Sequence, residues 1–471
     1  MFWTSQLPSA SKLSCKYPNA QFVIERNSAN QGKNKSEMVD HENIRKQIIK
    51  PSSPTPLQLK TFNLSLLDQL APMIYVRLIF WFRPDPPEDD YHFVKAEARS
   101  QVLMRSLSET LTRFYPFAGR MISNSSIECN DQGVDYIETR VNCRLQDILK
   151  QPDDESFTKV LPSRMEYKEA ATTPLLLVKV NFFECGGMAI GISFFHKVAD
   201  LSTMKLFIKT WAAMAQGSSS EVVLLLPDFK TIPSLFPPLD LPVNAKEKEM
   251  DPLIQVPKVG FEEPTRVEAV AALIWKCAMA AATANRGGFK KQSWLRQVVN
   301  LRKRLNPPLL EHCVGNAFSR FVAQSQTLDC ETETELQSLV KQLRNGMSDQ
   351  FSESAMRKLQ GSGAISEVLL GFKQVGSLLQ RDDLDAYFCS SWCRFDLYES
   401  ADFGWGKPRW VTSCIGLGDN NMSKPNGYVL MDSRDGEGIE ARVSLVEGEM
   451  AFFECNKELL AFASVNPCVK L

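Results

Sequence analysis

Histidine is scarce in this chain: four in 471 residues, namely His41, His92, His196 and His312. Twelve cysteines occur, yet no two are spaced Cys-x-x-Cys, and the nearest pair is Cys389 and Cys393. Zinc sites need clustered Cys and His ligands at short spacing, so no metal is expected. Free, mostly buried thiols in a reducing compartment are expected instead. Neither sign of charge is in excess: 54 Lys and Arg stand against 55 Asp and Glu, for a net charge of −1. That balance excludes the basic face that a nucleic-acid partner needs. Long apolar runs are missing too. The best candidate, Ala269 to Ala282, is interrupted by Lys276, so no membrane span is expected. Ser193 lacks the Gly-x-Ser-x-Gly frame of a hydrolase. The short Gly-x-Gly sequences at Gly361 and Gly436 lack the strand-then-helix setting of a nucleotide loop.

What is present is an ordinary globular composition, 44% hydrophobic and 23% charged, long enough for more than one domain. Residues 1–40 read as a disordered leader: the first 37 are polar and Asn/Ser/Lys-rich, and Met38 opens a plausible start of its own. They lack the apolar core of a secretory signal, so a cytoplasmic protein is expected. Phe93 to Tyr115 has the apolar spacing of an amphipathic helix, and Pro116 and Gly119 stop it. LLLVKVNFF and MAIGISFF, parted by Glu184-Cys185-Gly186-Gly187, read as a hairpin, and Leu201 to Ala215 as a helix.

Residues 227–262 are rich in Pro, Lys, Asp and Glu and read as a linker between a domain at 41–226 and another at 263–471. In the second half, Thr265 and Glu268 have capping-box spacing ahead of a helix that Gly287-Gly288 closes. Strand patterns follow at 296–299, 317–323, 428–431 and 440–445, and helical ones at 333–343 and 449–461. Interleaved strands and helices in both halves make the class α/β.

His196-Lys-Val-Ala-Asp200 sits where an apolar strand ends and a helix begins. A strand fixes such a side chain and the loop exposes it. An imidazole titrates near neutrality and can take a proton from an attacking alcohol. His-x-x-x-Asp is a short pattern with many chance matches. Asp402-Phe403-Gly404-Trp405-Gly406, near the C-terminus, reads alone as a tight turn with an aromatic plug.

Together, HKVAD at mid-chain and DFGWGKP downstream resemble the plant BAHD acyltransferase family, in its alkaloid-acetylating branch. IIKPSSPTP (48–56), FYPFAGR (114–120), EPTRVEAVAALIWK (263–276), NLRKRLNPP (300–308), VGN (314–316) and SSWCRF (390–395) add to the resemblance. It implies two chloramphenicol-acetyltransferase-like domains with a channel between them, acting as a monomer. Acetyl-CoA, or another acyl-CoA, would be co-substrate, with no bound cofactor and a small-molecule alcohol as acceptor. His196 would be the general base within a ternary complex, with Ser390 and Trp392 near the oxyanion. Asp200 would brace the loop. Asp402, with Gly404 and Gly406, would do so at a distance, Asp402 pairing with Arg302. Thr265 and Arg266, at a helix N-terminus, would face part of coenzyme A.

The resemblance breaks before Glu263. A strand and a Lys-rich helix usual in the family have no counterpart in LPVNAKEKEMDPLIQVPKVGF, which is expected to be irregular over 242–260. In relatives that helix lends a basic side chain to the phosphates of coenzyme A, so a non-catalytic relative is the alternative from another class. Within catalysis, the alternative is a larger acyl donor or an amine acceptor.

Overall fold

The structure, a computed structural model, describes residues 41–84, 92–150, 152–162, 172–217, 226–239, 263–325, 335–358, 366, 369, 381, 383–414 and 426–469. The expected leader and the 242–260 segment lie outside them.

Among the described residues the first half supplies β1 (His41–Ile49), β2 (Thr61–Asn63), β3 (Tyr75–Phe82), β4 (Arg120–Ser123), β5 (Ser126–Glu128), β6 (Val134–Val141), β7 (Leu176–Phe183) and β8 (Met188–Phe195). The second half supplies β9 (Gln292–Asn300), β10 (Phe318–Gln324), β11 (Leu384–Ser391), β12 (Trp410–Ser413), β13 (Gly427–Asp432) and β14 (Ile439–Ser444). They form two mixed sheets, β1-β6-β7-β8-β3-β12 and β10-β9-β11-β13-β14, and a small one, β2-β5-β4. Helices interleave with the strands in both halves, as the α/β reading expects.

The hairpin forms as its pattern requires, with Leu176 opposite Phe194 and Phe182 opposite Met188. All eight residues of β8 are buried, because the sheet is covered on both faces. One face meets the helices His92–Arg113 and Leu201–Ala215, where Phe114, Phe117, Phe194, Phe207 and Trp211 pack mostly edge to face. Burying each such ring contributes roughly 1.5–3 kcal/mol, so this aromatic cluster fixes the angle between sheet and helices.

In the second half the helix Arg266–Asn285 carries the core. Its Thr265 cap and Glu268 complete the expected capping box. By length and composition this helix is apolar enough to cross a membrane, which corrects the expectation that no segment approaches that length. Its face from Val270 to Ala281 packs on Leu295, Phe321, Tyr387 and Tyr428, so it is a core helix of the second sheet. The helical pattern at 449–461 resolves into two short helices, Glu447–Glu454 and Lys457–Leu460. Asn456 caps the second by accepting from the Glu458 and Leu459 amides.

Two boundaries differ from the expected ones. Residues 227–239, read as linker, include the helix Thr231–Leu235, whose Ile232 joins Phe236, Leu66, Leu301 and Cys313 in a core cluster between the halves. A run rich in Pro and charge hid two apolar anchors. Residues 263–471, read as one domain, also lend β12 to the other sheet, where it pairs with β3 and stacks Trp410 on Trp81. Four strand residues after a glycine-rich turn are too short a run to reveal which sheet they join.

Candidate active site

β8 ends at Phe195, and the next peptide is held from both sides. The His196 amide donates to the Ile74 carbonyl at 2.9 Å. The His196 carbonyl accepts from Asn316 Nδ2 at 2.8 Å. The imidazole is half-buried, with the Phe318 ring 5.5 Å away, centroid to centroid. Its Nδ1 is sealed from solvent without a hydrogen-bond partner. Nε2 is therefore the nitrogen left to meet a substrate. Burial pushes His196 below the ordinary histidine value; its own carbonyl and the more distant Asp200 charge oppose that shift without cancelling it. At neutral pH the ring is a neutral base.

Asp200 points away from this ring. As N-cap of the helix Leu201–Ala215 it accepts from the Thr203 amide at 3.0 Å. It also accepts from the Ala317 amide at 3.0 Å. Arg302 from the second half grips both its oxygens, Nη1 to Oδ2 at 2.5 Å and Nη2 to Oδ1 at 3.1 Å. The same guanidinium donates to the carbonyls of Cys313 and Gly315. Burial alone would raise the Asp200 carboxyl, but the Arg302 charge and these donors hold it below its ordinary value. Asp200 is therefore a brace between the halves.

The expected pairing of Arg302 with Asp402 is thus corrected. Arg302 is committed to Asp200, whereas Asp402 Oδ1 accepts from the Gly404 and Gly406 amides at 3.0 and 3.1 Å. Both glycines have φ near +100° (103° and 93°), which favours glycine, so Asp402 closes its own turn. The turn inserts Phe403 against Trp211 and Phe82.

A second strap was not found from the sequence. Asp68 is buried, and its Oδ1 accepts from the Asn316 amide at 2.7 Å and from Asn316 Nδ2 at 2.8 Å. Its Oδ2 accepts from the Ser65 amide and hydroxyl at 2.8 and 2.7 Å. Burial raises the Asp68 carboxyl, with these four donors opposing. Asn316 thus joins Asp68 to the carbonyl of His196. Lys197 adds a third strap, donating to the Gln69 carbonyl and to Asn124 Oδ1. Burial pushes that ammonium down to about 8. The available signal was Ser65-x-x-Asp68, a capping-box spacing that completes itself in the short helix Leu66–Leu70.

Ser390 is the last residue but one of β11, and Trp392 follows the strand; the Trp392 indole donates to Ser390 Oγ at 3.1 Å. The serine then keeps its own proton to donate. Thr265 is occupied by its capping box, and Arg266 donates to the carbonyls of Gly436 and Glu437. Among the described residues ten cysteines are free. Burial pushes Cys129 and Cys277 up to about 12, and Cys389 beside Ser390 is raised as well. Such thiols are poor nucleophiles.

This fold, with a neutral histidine clamped at a strand exit, defines a two-domain acyl-transfer scaffold. The sequence model of the Transferase family matches residues 39–252 and 243–460. Salutaridinol 7-O-acetyltransferase of Papaver somniferum is 33% identical over 88% of this chain and 96% of its own. The 17,18-epoxy-17-hydroxycur-19-ene N-malonyltransferase of Strychnos nux-vomica is 33% identical over 90% of each chain. The crystal structure of vinorine synthase superposes with a TM-score of 0.71 at 31% identity, covering 92% of this chain and all of that one. The chain belongs to the transferase family of plant BAHD acyltransferases, and it is an acyl-CoA-dependent acyltransferase.

Proposed function

We propose that this enzyme transfers an acetyl group from acetyl-CoA to the hydroxyl of a plant specialised metabolite, an alkaloid or terpenoid, as a cytoplasmic monomer. His196 Nε2 removes the hydroxyl proton as the oxygen attacks the thioester carbonyl. The tetrahedral oxyanion is stabilised by the Ser390 hydroxyl, which Trp392 polarises. Its collapse breaks the C–S bond, and the imidazolium returns the proton to the departing thiolate. No acyl-enzyme forms.

The observation that carries this reading is the clamp on His196: its amide and carbonyl are both tied, its Nδ1 is sealed, and its charge is suppressed. The same intact clamp argues against a non-catalytic relative. The acetyl and hydroxyl assignments draw support from the Papaver O-acetyltransferase. A larger donor or an amine acceptor is the second reading, favoured by the Strychnos N-malonyltransferase. The test is release of free thiol from acetyl-CoA by pure protein with a panel of alcohols and amines. Alcohol-dependent release supports the reading, whereas release only with amines or only from larger acyl-CoAs replaces it with the second.

A further inference from the structure

Two strands of the first sheet end on cysteines that the acyl-transfer chemistry does not use. β6 and β7 run parallel and in register, from Asp135 opposite Leu177 to Val141 opposite Phe183. Cys143 stands two residues beyond Val141, and Cys185 two residues beyond Phe183. Both chains turn at that point. β7 enters the tight turn to β8, closed by the Gly186 amide on the Phe183 carbonyl at 2.9 Å, and β6 passes into the helix Leu145–Lys150. Neighbouring strands lie about 4.7–4.9 Å apart, inside the roughly 4.4–6.8 Å between Cα atoms that a disulfide spans.

Contacts beyond the ladder keep the two ends together. The Leu145 amide donates to Cys185 Sγ at 3.4 Å. Leu145 also lies against Gly187, where an added Cβ would stand 2.9 Å from Leu145 Cδ2 and 3.5 Å from Cys185 Sγ. The missing side chain at Gly187 thus lets the turn close on the exit of β6. Cys143 and Cys185 pack on one core cluster, with Val141, Leu145 and Phe183, and each is half-buried. Burial pushes the Cys143 thiol up to about 11, and the neighbouring Asp147, Glu184 and Cys185 push the same way. Cys389 and Cys393 are neighbours too, but Cys389 is sealed in the second core, where a dissolved oxidant does not reach it.

We infer that Cys143 and Cys185 form a reversible oxidation site, at which hydrogen peroxide joins the two thiols in a disulfide that staples the exit of β6 to the β7–β8 turn. The Cys185 sulfur attacks one peroxide oxygen and breaks the O–O bond; water leaves, and the sulfur becomes a sulfenic acid. The Leu145 N–H supports the negative charge on that sulfur as it attacks. The Cys143 sulfur then attacks the sulfenic sulfur, and its proton departs with the hydroxyl as a second water. Two thiols lose two electrons and one peroxide becomes two waters. The bond closes segment 144–184 into a loop and so restrains the unfolded chain. His196 follows the far end of β8, so this site is separate from the acyl-transfer centre.

The test treats the full chain in native buffer with a few equivalents of hydrogen peroxide and maps its tryptic peptides without reduction. Trypsin releases Cys143 in peptide 141–144 and Cys185 in peptide 180–197. We expect these two peptides linked, two hydrogens lighter than their sum, and separated by dithiothreitol. The oxidised chain should unfold at least about 3 °C higher than the reduced one. Cys143→Ser should abolish the link and leave Cys185 as a sulfenic acid that dimedone traps. Cys185→Ser should abolish the link and leave Cys143 open to alkylation. Four outcomes overturn the inference. They are no linked peptide at peroxide levels that oxidise the exposed Cys455, a link that forms only in urea, Cys185 joined to another cysteine or another chain, or a link that does not raise the unfolding midpoint. The wild-type peptide map decides the first three without any variant, and none of the readouts needs turnover.

Discussion

Arg302 and Asp200 form a two-pronged ion pair across the two halves of the molecule, at 2.5 and 3.1 Å, with both side chains buried. The loop between β8 and the helix Leu201–Ala215, which carries His196, is thereby tied to the loop that follows β9. Breaking a buried pair by removing one partner costs about 3–5 kcal/mol, because the other charge stays buried. Arg302→Met and Asp200→Asn are each expected to lower thermal stability sharply, and the double variant less than the sum of the two. A double-mutant cycle on denaturant unfolding checks this. Additive losses would mean that the pair does not couple.

Asp402→Asn should be far milder. Asn still offers an oxygen to the Gly404 and Gly406 amides, so the expected loss is under about 1 kcal/mol. It should show no coupling to Arg302→Met in the same cycle. Coupling above about 1 kcal/mol would restore a long-range Asp402–Arg302 interaction.

The strap from Asp68 through Asn316 to the His196 carbonyl predicts a positioning effect. Asn316→Ala should lower kcat by about 10²-fold, since a small misplacement of the base is costly. Acetyl-CoA binding should stay close to wild type. Asn316→Asp, keeping size but losing the donor, should not rescue the rate. Unchanged kcat in Asn316→Ala would remove the strap from the account.

The pH dependence follows from the direction of the His196 shift. Burial lowers its value, so the neutral base persists below the ordinary histidine range. The acid limb of kcat/KM is expected below about pH 6.5. In the window between the folded and unfolded values the unfolded chain binds more protons, so stability falls as pH falls through it. Asp200, also lowered, contributes stability that is present above about pH 4 and lost as pH drops through its folded value. An acid limb above pH 7 would contradict the burial of this ring.

The hairpin, the helix Leu201–Ala215 and the Thr265 cap were legible because each is set by local periodicity or a local capping pair. The position of His196 followed from them, being simply the residue after an apolar strand. The partner of Arg302 was not legible: it is chosen by contacts 102 residues apart, and two acidic residues competed for it. Asp68 was missed because its short helix hides a capping box, and its second role needs Asn316, 248 residues away. β12 is too short to announce that it crosses to the other sheet.

Ser390→Ala should lower kcat by about 10²–10³-fold if its hydroxyl meets the oxyanion. Trp392→Phe, which removes only the bond that polarises Ser390, should cost less. Equal, small effects on kcat with a raised KM would assign both residues to ground-state binding instead.

The central claim is that His196 is the base. Its direct test is thiol release from acyl-CoA, with a competent acceptor, by His196→Ala beside the wild-type protein, each with its unfolding curve. A loss of about 10²–10⁴-fold in kcat with a native unfolding transition is the predicted result. Turnover within a few-fold of wild type from a folded His196→Ala enzyme would contradict it.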